Sequence, residues 1–148
     1  MAFRISQGLR NKMLGTGGLK ELLDGGCIRI FSGAQPLTPE TAEAGVLIST
    51  IKTSSGTGGL IWGTAASAAI SKSADPWSGT CGTEGIAGWF RYYDVADFYG
   101  ADAAGTAVRF DGDVGVTTGD LKLTSTTVKV SAPVVIDTCQ FSIAQNQS

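Results

Sequence analysis

Histidine does not occur anywhere in the 148 residues. Its absence removes the commonest general base, the commonest metal ligand and the side chain that titrates nearest neutrality. Cysteine is scarce, and Cys27, Cys81 and Cys139 are an odd number at wide spacing. The paired thiolates of a zinc site are therefore missing. Cys27 and Cys139 lie in apolar, strand-like runs and are expected to pack as small hydrophobes; one disulfide with one free thiol is the alternative. Cys81, flanked by Gly79 and Gly82, could be exposed and reactive, although a thiol without an adjacent base stays mostly protonated at neutral pH. Charge is thin, at 16% of residues with a net −2, which gives no reason to expect a nucleic-acid partner. No apolar run approaches the roughly 18 residues of a membrane span, and the first residues carry no signal-peptide core. No membrane partner is expected, and synthesis in the cytoplasm is.

What the chain has in excess is glycine, 21 residues of 148 against an ordinary usage of about 7%. The glycines are scattered and not periodic, as suits many turns and close backbone approaches. Hydrophobic residues at 43% are enough for one domain with a substantial core. The densest stretch is Gly85-Ile-Ala-Gly-Trp-Phe-Arg-Tyr-Tyr-Asp94, with four aromatics in five positions around a single charge, Arg91. On a strand Trp89, Arg91 and Tyr93 face one way and Phe90, Tyr92 and Asp94 the other. This stretch is expected to be a central strand.

Residues 1–25 are the helical region. Ile5, Leu9 and Met13 recur at helical spacing, Ser6 can cap the start and Gly15 the end, and Thr16 can cap a second helix, Gly17–Asp24. The segment reads as a basic N-terminal arm, since Arg4, Arg10 and Lys12 have no acid among them. Gly15-Thr-Gly-Gly18 is not a phosphate loop, because Leu follows where Lys-Ser/Thr is required. From residue 26 to 148 the pattern is a single β domain. Strands are expected over Cys27–Phe31, Val46–Ile51, Leu60–Trp62, Ala66–Ile70, the aromatic stretch, Ala107–Val116 and Val134–Ile143. Asp120–Leu123 and Thr126–Val130 are read as a hairpin pair around Thr124-Ser125. Thr38 and Pro39 open one turn of helix, Ser54–Gly59 is a loop, Asp75–Gly79 a turn anchored by Trp77, and Ala144–Ser148 a polar tail. Short strands with turn signals every 8–12 residues point to a mainly β fold, an antiparallel β-sandwich or jelly roll with a short N-terminal helical segment.

Asp111 and Asp113 fall on one face of their strand, where a shared cation is geometrically allowed. Arg91 and Arg109 on neighbouring strands are the competing partners, and cross-strand ion pairs are the favoured outcome. With no histidine to activate a nucleophile, no enzyme, cofactor or metal is expected. Trp62, Trp77, Tyr92, Tyr93 and Tyr99 could offer stacking faces to a carbohydrate.

Several segments taken together carry a resemblance: Leu9-Arg-Asn-Lys-Met-Leu-Gly-Thr16, Ile28-Arg-Ile-Phe-Ser-Gly-Ala-Gln-Pro36, Thr41-Ala-Glu-Ala-Gly45, Trp77-Ser-Gly79, Gly88-Trp-Phe-Arg91 and Arg109-Phe-Asp-Gly-Asp113. Over roughly residues 8–143 the chain resembles a family of small virion proteins of tailed bacteriophages, similar to jelly-roll cement or decoration proteins. The resemblance implies a structural protein on the capsid surface that binds the major capsid protein and copies of itself, as a dimer or trimer. It implies no catalytic residues. A tail, neck or baseplate component is the alternative, and a carbohydrate-binding attachment module a further one. Contacts are expected among exposed aromatics and arginines such as Trp77, Tyr99 and Arg10, and Trp89, Arg91, Arg109, Asp111 and Asp113 complete the candidate set.

Overall fold

The computed structural model describes residues 3–53 and 58–143. The expected loop over Ser54–Gly59 lies mostly, and the tail over Ala144–Ser148 wholly, outside the described residues. The elements are β1 (Arg4–Ile5), α1 (Gln7–Gly15), α2 (Leu19–Leu23), β2 (Cys27–Phe31), β3 (Leu47–Thr53), β4 (Ala69–Ser71) and β5 (Trp77–Thr80). They continue with β6 (Gly85–Ile86), β7 (Trp89–Tyr93), β8 (Arg109–Gly115), β9 (Leu121–Leu123), β10 (Thr127–Val128) and β11 (Pro133–Ser142).

The fold is mainly β, but the expected sandwich or jelly roll is wrong: the main sheet closes into a seven-stranded barrel. Antiparallel neighbours run β8-β7-β2-β3-β5-β11, and β9 pairs with both β11 and β8 to complete the ring. The closing seam, β8 with β9, is parallel, with Val114 opposite Leu121 and Gly115 opposite Lys122. Parallel neighbours ordinarily need a crossover of a dozen residues or more. Here residues 116–120 alone bring the chain full circle. A Cβ at Gly115 would lie 1.8 Å from the Thr118 carbonyl oxygen, and Gly119 has φ +110. Asp113 and Asp120 tie the ends of this loop, each accepting the other's backbone N–H at 3.2–3.3 Å.

Side-chain alternation explains the interior. Ile28 and Ile30 of β2, Phe90 and Tyr92 of β7, and Phe110 of β8 enter one core cluster with Trp62, Trp77 and Leu121. On β11 the inward set is Val134, Ile136, Cys139 and Phe141. Its parity changes where the register slips between Ile136 and Thr138, because one extra residue in a strand moves all later side chains to the other face. Phe110 is the hub, stacked on Tyr92 at 4.8 Å and edge-on to Phe141 at 5.8 Å and Trp62 at 6.0 Å.

The segment read from sequence as an arm lies against the barrel. β1 pairs with β8, and Leu9 and Leu23 are fully buried in the core cluster. Ser6 caps α1 through Leu9 N–H and its hydroxyl donates to the Ala107 carbonyl at 2.7 Å. Other local expectations change as well. Residues 38–45 form no helix, and α2 is capped by Gly18, not Thr16. Trp77 begins a strand, not a turn. β9 and β10 do not pair with each other; β10 pairs with β6.

Candidate interaction face

On β2, β7 and β8 the outward side chains fall into register as Arg29, Arg91 and Asp111. Arg29 lies directly opposite Arg91, an arrangement that is destabilising unless each cation finds its own anion. Each does. Arg91 donates to Asp111 Oδ2 through Nε at 3.1 Å and Nη2 at 2.8 Å, and both side chains are fully buried. Arg29 pairs with Glu43, whose carboxylate also accepts the Tyr93 hydroxyl. Gln35 donates to Asp111 at 3.0 Å.

Two long connections, residues 32–46 and 94–108, fold back over this outer face, which is why all five residues of β7 are buried although only alternate ones point inward. The arginines hold them there. Arg91 donates to the carbonyls of Thr41 at 2.6 Å and Thr38 at 3.2 Å. Arg109 takes both carboxylate oxygens of Asp97, at 2.6 and 2.7 Å, and the carbonyls of Gly100 at 2.8 Å and Pro39 at 3.2 Å. A guanidinium suits this work because its donors form a fixed fork that stays charged when buried. The connections also meet each other, Asp102 N–H donating to the Glu40 carbonyl at 2.8 Å. Glu40 in turn accepts the Gln7 N–H at the start of α1.

Aromatic rings fill the space between the cations. Phe31 stacks on Trp89 at 4.5 Å, Arg91 lies over Trp89 at 5.2 Å, and Arg109 over Tyr93 at 5.2 Å and Phe98 at 5.4 Å. Tyr99 takes φ +64, a region that strains a bulky side chain by roughly 1–3 kcal/mol. Its N–H bond to Asp97 at 2.9 Å and Arg29 at 4.7 Å over its ring hold it there. Burial pushes the Asp111 carboxyl above its ordinary value, with Arg91 pulling the other way. Burial pulls the Arg109 guanidinium down, but the Asp97 hydrogen bond and charge outweigh it and hold it raised. Burial, followed by the bond to Glu43, raises the Tyr93 phenol.

The sequence candidates are thus dispersed by environment. Trp89, Arg91, Arg109 and Asp111 converge in the layer beneath the two connections. Arg109 pairs with Asp97 across its own loop, not with Asp111 or Asp113. Asp113 faces Asp120, whose carboxyl is raised to about 6 by burial and by its hydrogen bond to Asp113. Trp77 is fully buried, which removes it as a surface contact. Trp62, Tyr92 and Tyr93 are equally inaccessible, so of the five stacking candidates only Tyr99 is exposed. Cys81, which the sequence left open to exposure, is buried with its thiol 3.1 Å from the Thr83 carbonyl, and all three cysteines are free. Arg4 donates to the Pro36 carbonyl, while Arg10 and Lys12 are exposed on α1. Sequence reasoning missed Arg29, Glu43 and Asp97. Arg29 had a readable signal, as the one charge in an otherwise apolar strand; Glu43 and Asp97 sit in loops and had none.

Among the described residues no group of three or more His, Cys, Asp or Glu is placed to hold a metal, and no helix is long and apolar enough to cross a membrane. Buried Arg91, Arg109 and Asp111 are committed to carboxylates, guanidinium and loop carbonyls, and buried Asp102 accepts the Ala107 N–H at 2.8 Å. Among what the two connections leave at the surface are three large apolar side chains: Leu37 is 82% exposed, Val95 75% and Phe98 62%. Comparison of the chain with protein-family models, curated proteins and solved structures returns no match.

Proposed function

We propose that this protein is a structural component of a tailed-phage particle, a cement or decoration protein that binds the major capsid protein on the head. The observation that carries the reading is the pair of arginine-held connections with exposed Leu37, Val95 and Phe98. Loops that bind by folding on contact lose affinity to their ordering. Loops fixed beforehand by buried ion pairs do not, and exposed apolar side chains on a rigid support are what a protein interface uses. The resemblance over residues 8–143 supplies the kind of partner. Self-association as a dimer or trimer goes with the reading, because contacts repeated around a lattice can each be modest. Purified protein mixed with expanded, undecorated shells should sediment with them at a fixed ratio to the capsid subunit. Copurification with tails alone would move the protein to the tail, neck or baseplate.

A further inference from the structure

The ring is weakest at its closing seam. β8 holds β7 through five residue pairs on one side but β9 through two on the other, and parallel pairing is the less stable kind per residue. Two carboxylates sit where that seam starts. Asp120 packs against the β8 backbone, where a Cβ at Gly112 would come within 2.5 Å of its Oδ2 and 3.0 Å of its Cγ; only glycine leaves that room. There each carboxylate accepts the other residue's N–H, and the two side chains are hydrogen-bonded to each other. Two ionised carboxylates cannot make that last bond, since neither carries a donor. One of them must hold a proton for it. Burial, and next the bond to Asp113, raises the Asp120 carboxyl to about 6, while the same bond lowers Asp113.

The surrounding charges do not stand in for the proton. Among the described residues no cation forms an ion pair with either carboxylate, Lys122 on β9 and Arg4 on β1 included. The α-amino charge lowers both without cancelling the rise at Asp120. On β11 the buried Cys139 thiol is raised to about 12, by burial and next by the Asp120 charge, with Lys72 pulling the other way. That thiol stays neutral throughout the range in which Asp120 titrates.

We infer that Asp113 and Asp120 form a proton-operated latch on the β8–β9 seam: a proton shared between them holds the ring shut, and its loss to solvent parts β9 from β8 while the other strands stay paired. With the proton gone, two like charges face each other in a half-buried site, and the bond between them turns into repulsion. The repelling residues are the ones that tie the full-circle loop, so the strain falls on the seam that the loop closes. A raised carboxyl contributes stability that is present below its unfolded value and lost as pH rises through the folded one. The latch is therefore closed at about pH 5 and released by about pH 7.5.

The test is native-state amide exchange by NMR on the whole protein at about pH 5 and about pH 7.5, each rate divided by the intrinsic rate at that pH. The N–H groups of Asp113 and Asp120, which the latch itself holds, and those of Leu121 and Lys122 should lose protection about twofold to fivefold at the higher pH. They should respond little to about 1 M urea, because parting one seam exposes little surface. Ile28, Ile30 and Phe90 should exchange more slowly and follow the urea. D120N keeps an acceptor for the Asp113 N–H and adds a permanent donor to the Asp113 carboxylate, so its seam should be equally protected at both pH values. A side-chain carboxyl-carbon titration gives a second reading that needs no variant. Asp113 and Asp120 should titrate in two linked steps, the upper at about 6. Seam amides that exchange only through global unfolding, with the urea slope of the core, would overturn the inference. So would a D120N seam that still loosens at the higher pH, or two aspartates titrating together near their ordinary values.

Discussion

Arg91→Ala removes one side chain and four hydrogen bonds at once, two to Asp111 and two to the carbonyls of Thr38 and Thr41. It leaves Asp111 fully buried with Gln35 as its remaining hydrogen-bond donor of the pair. Breaking a buried ion pair from one side costs about 3–5 kcal/mol, a large part of the roughly 5–15 kcal/mol that holds such a domain together. At about 2–4 °C per kcal/mol for a chain of this size, the melting temperature should fall by about 6–20 °C at pH 7. Acid should rescue the variant. Burial already raises the Asp111 carboxyl, and Arg91 is the chief influence lowering it. Without Arg91 the folded-state value climbs further above the unfolded one. A raised carboxyl contributes stability that is present below its unfolded pKa and lost as pH rises through the folded one. The deficit should therefore shrink to about 1–2 kcal/mol near pH 4, where a neutral carboxyl needs no counter-charge. Urea unfolding at pH 4 and pH 7 reads both numbers. A deficit under about 1 kcal/mol at pH 7, or one that grows on acidification, would refute the reasoning.

A companion variant separates stability from loop holding. R91M/D111L replaces the pair with apolar groups of similar size, which is often close to neutral. It should recover most of the stability lost in Arg91→Ala while leaving Thr38 and Thr41 without their donor. Amide exchange should then rise over residues 36–43 although the barrel stays folded.

Gly115→Ala places a Cβ against the Thr118 carbonyl and should cost at least about 1–3 kcal/mol, with faster amide exchange in β9 as the seam loosens. Ala68, exposed at φ +58, should be stabilised by about 1 kcal/mol on replacement by glycine, measurable as a higher urea midpoint. Asp120 is raised to about 6 from 3.8, so its contribution is full below 3.8 and lost as pH rises through about 6. Because the group is only partly buried, stability should decline between pH 5 and 7.5 by less than about 1 kcal/mol, and D120N should abolish that decline. The three buried thiols should be inert to a thiol reagent in the native protein and react in full once it is unfolded; burial raises Cys27 and holds Cys139 at about 12.

The strands with strong local signals could be read in the sequence. The aromatics of Trp89–Tyr93, the apolar run Cys27–Phe31 and the alternation around Phe110 all emerge as strands; alternation puts Arg109, Asp111 and Asp113 on one face of β8, and the register then sets Asp111 opposite Arg91. Barrel closure could not be read, because it depends on two residue pairs at the β8–β9 seam and on a five-residue full-circle loop that ordinary parallel connections do not use. The loss of inward parity on β11 was visible in Val134, Ile136, Cys139 and Phe141, yet only the pairing shows it to be a register slip and not a strand end. Nor could local pattern tell that residues 32–46 and 94–108 fold back over the outer face. That return buries Trp89, Tyr93 and Arg109 on a side that alternation assigns to solvent. The same return turns Glu43 and Asp97 from loop acids into counter-charges.

The most direct test is an amide-exchange footprint of the protein bound to expanded phage shells. Protection should appear over residues 36–41 and 95–100, the two arginine-held connections, with the opposite wall of β4, β5 and β11 unchanged. Failure to bind the shells, or protection confined to that opposite wall, would contradict it.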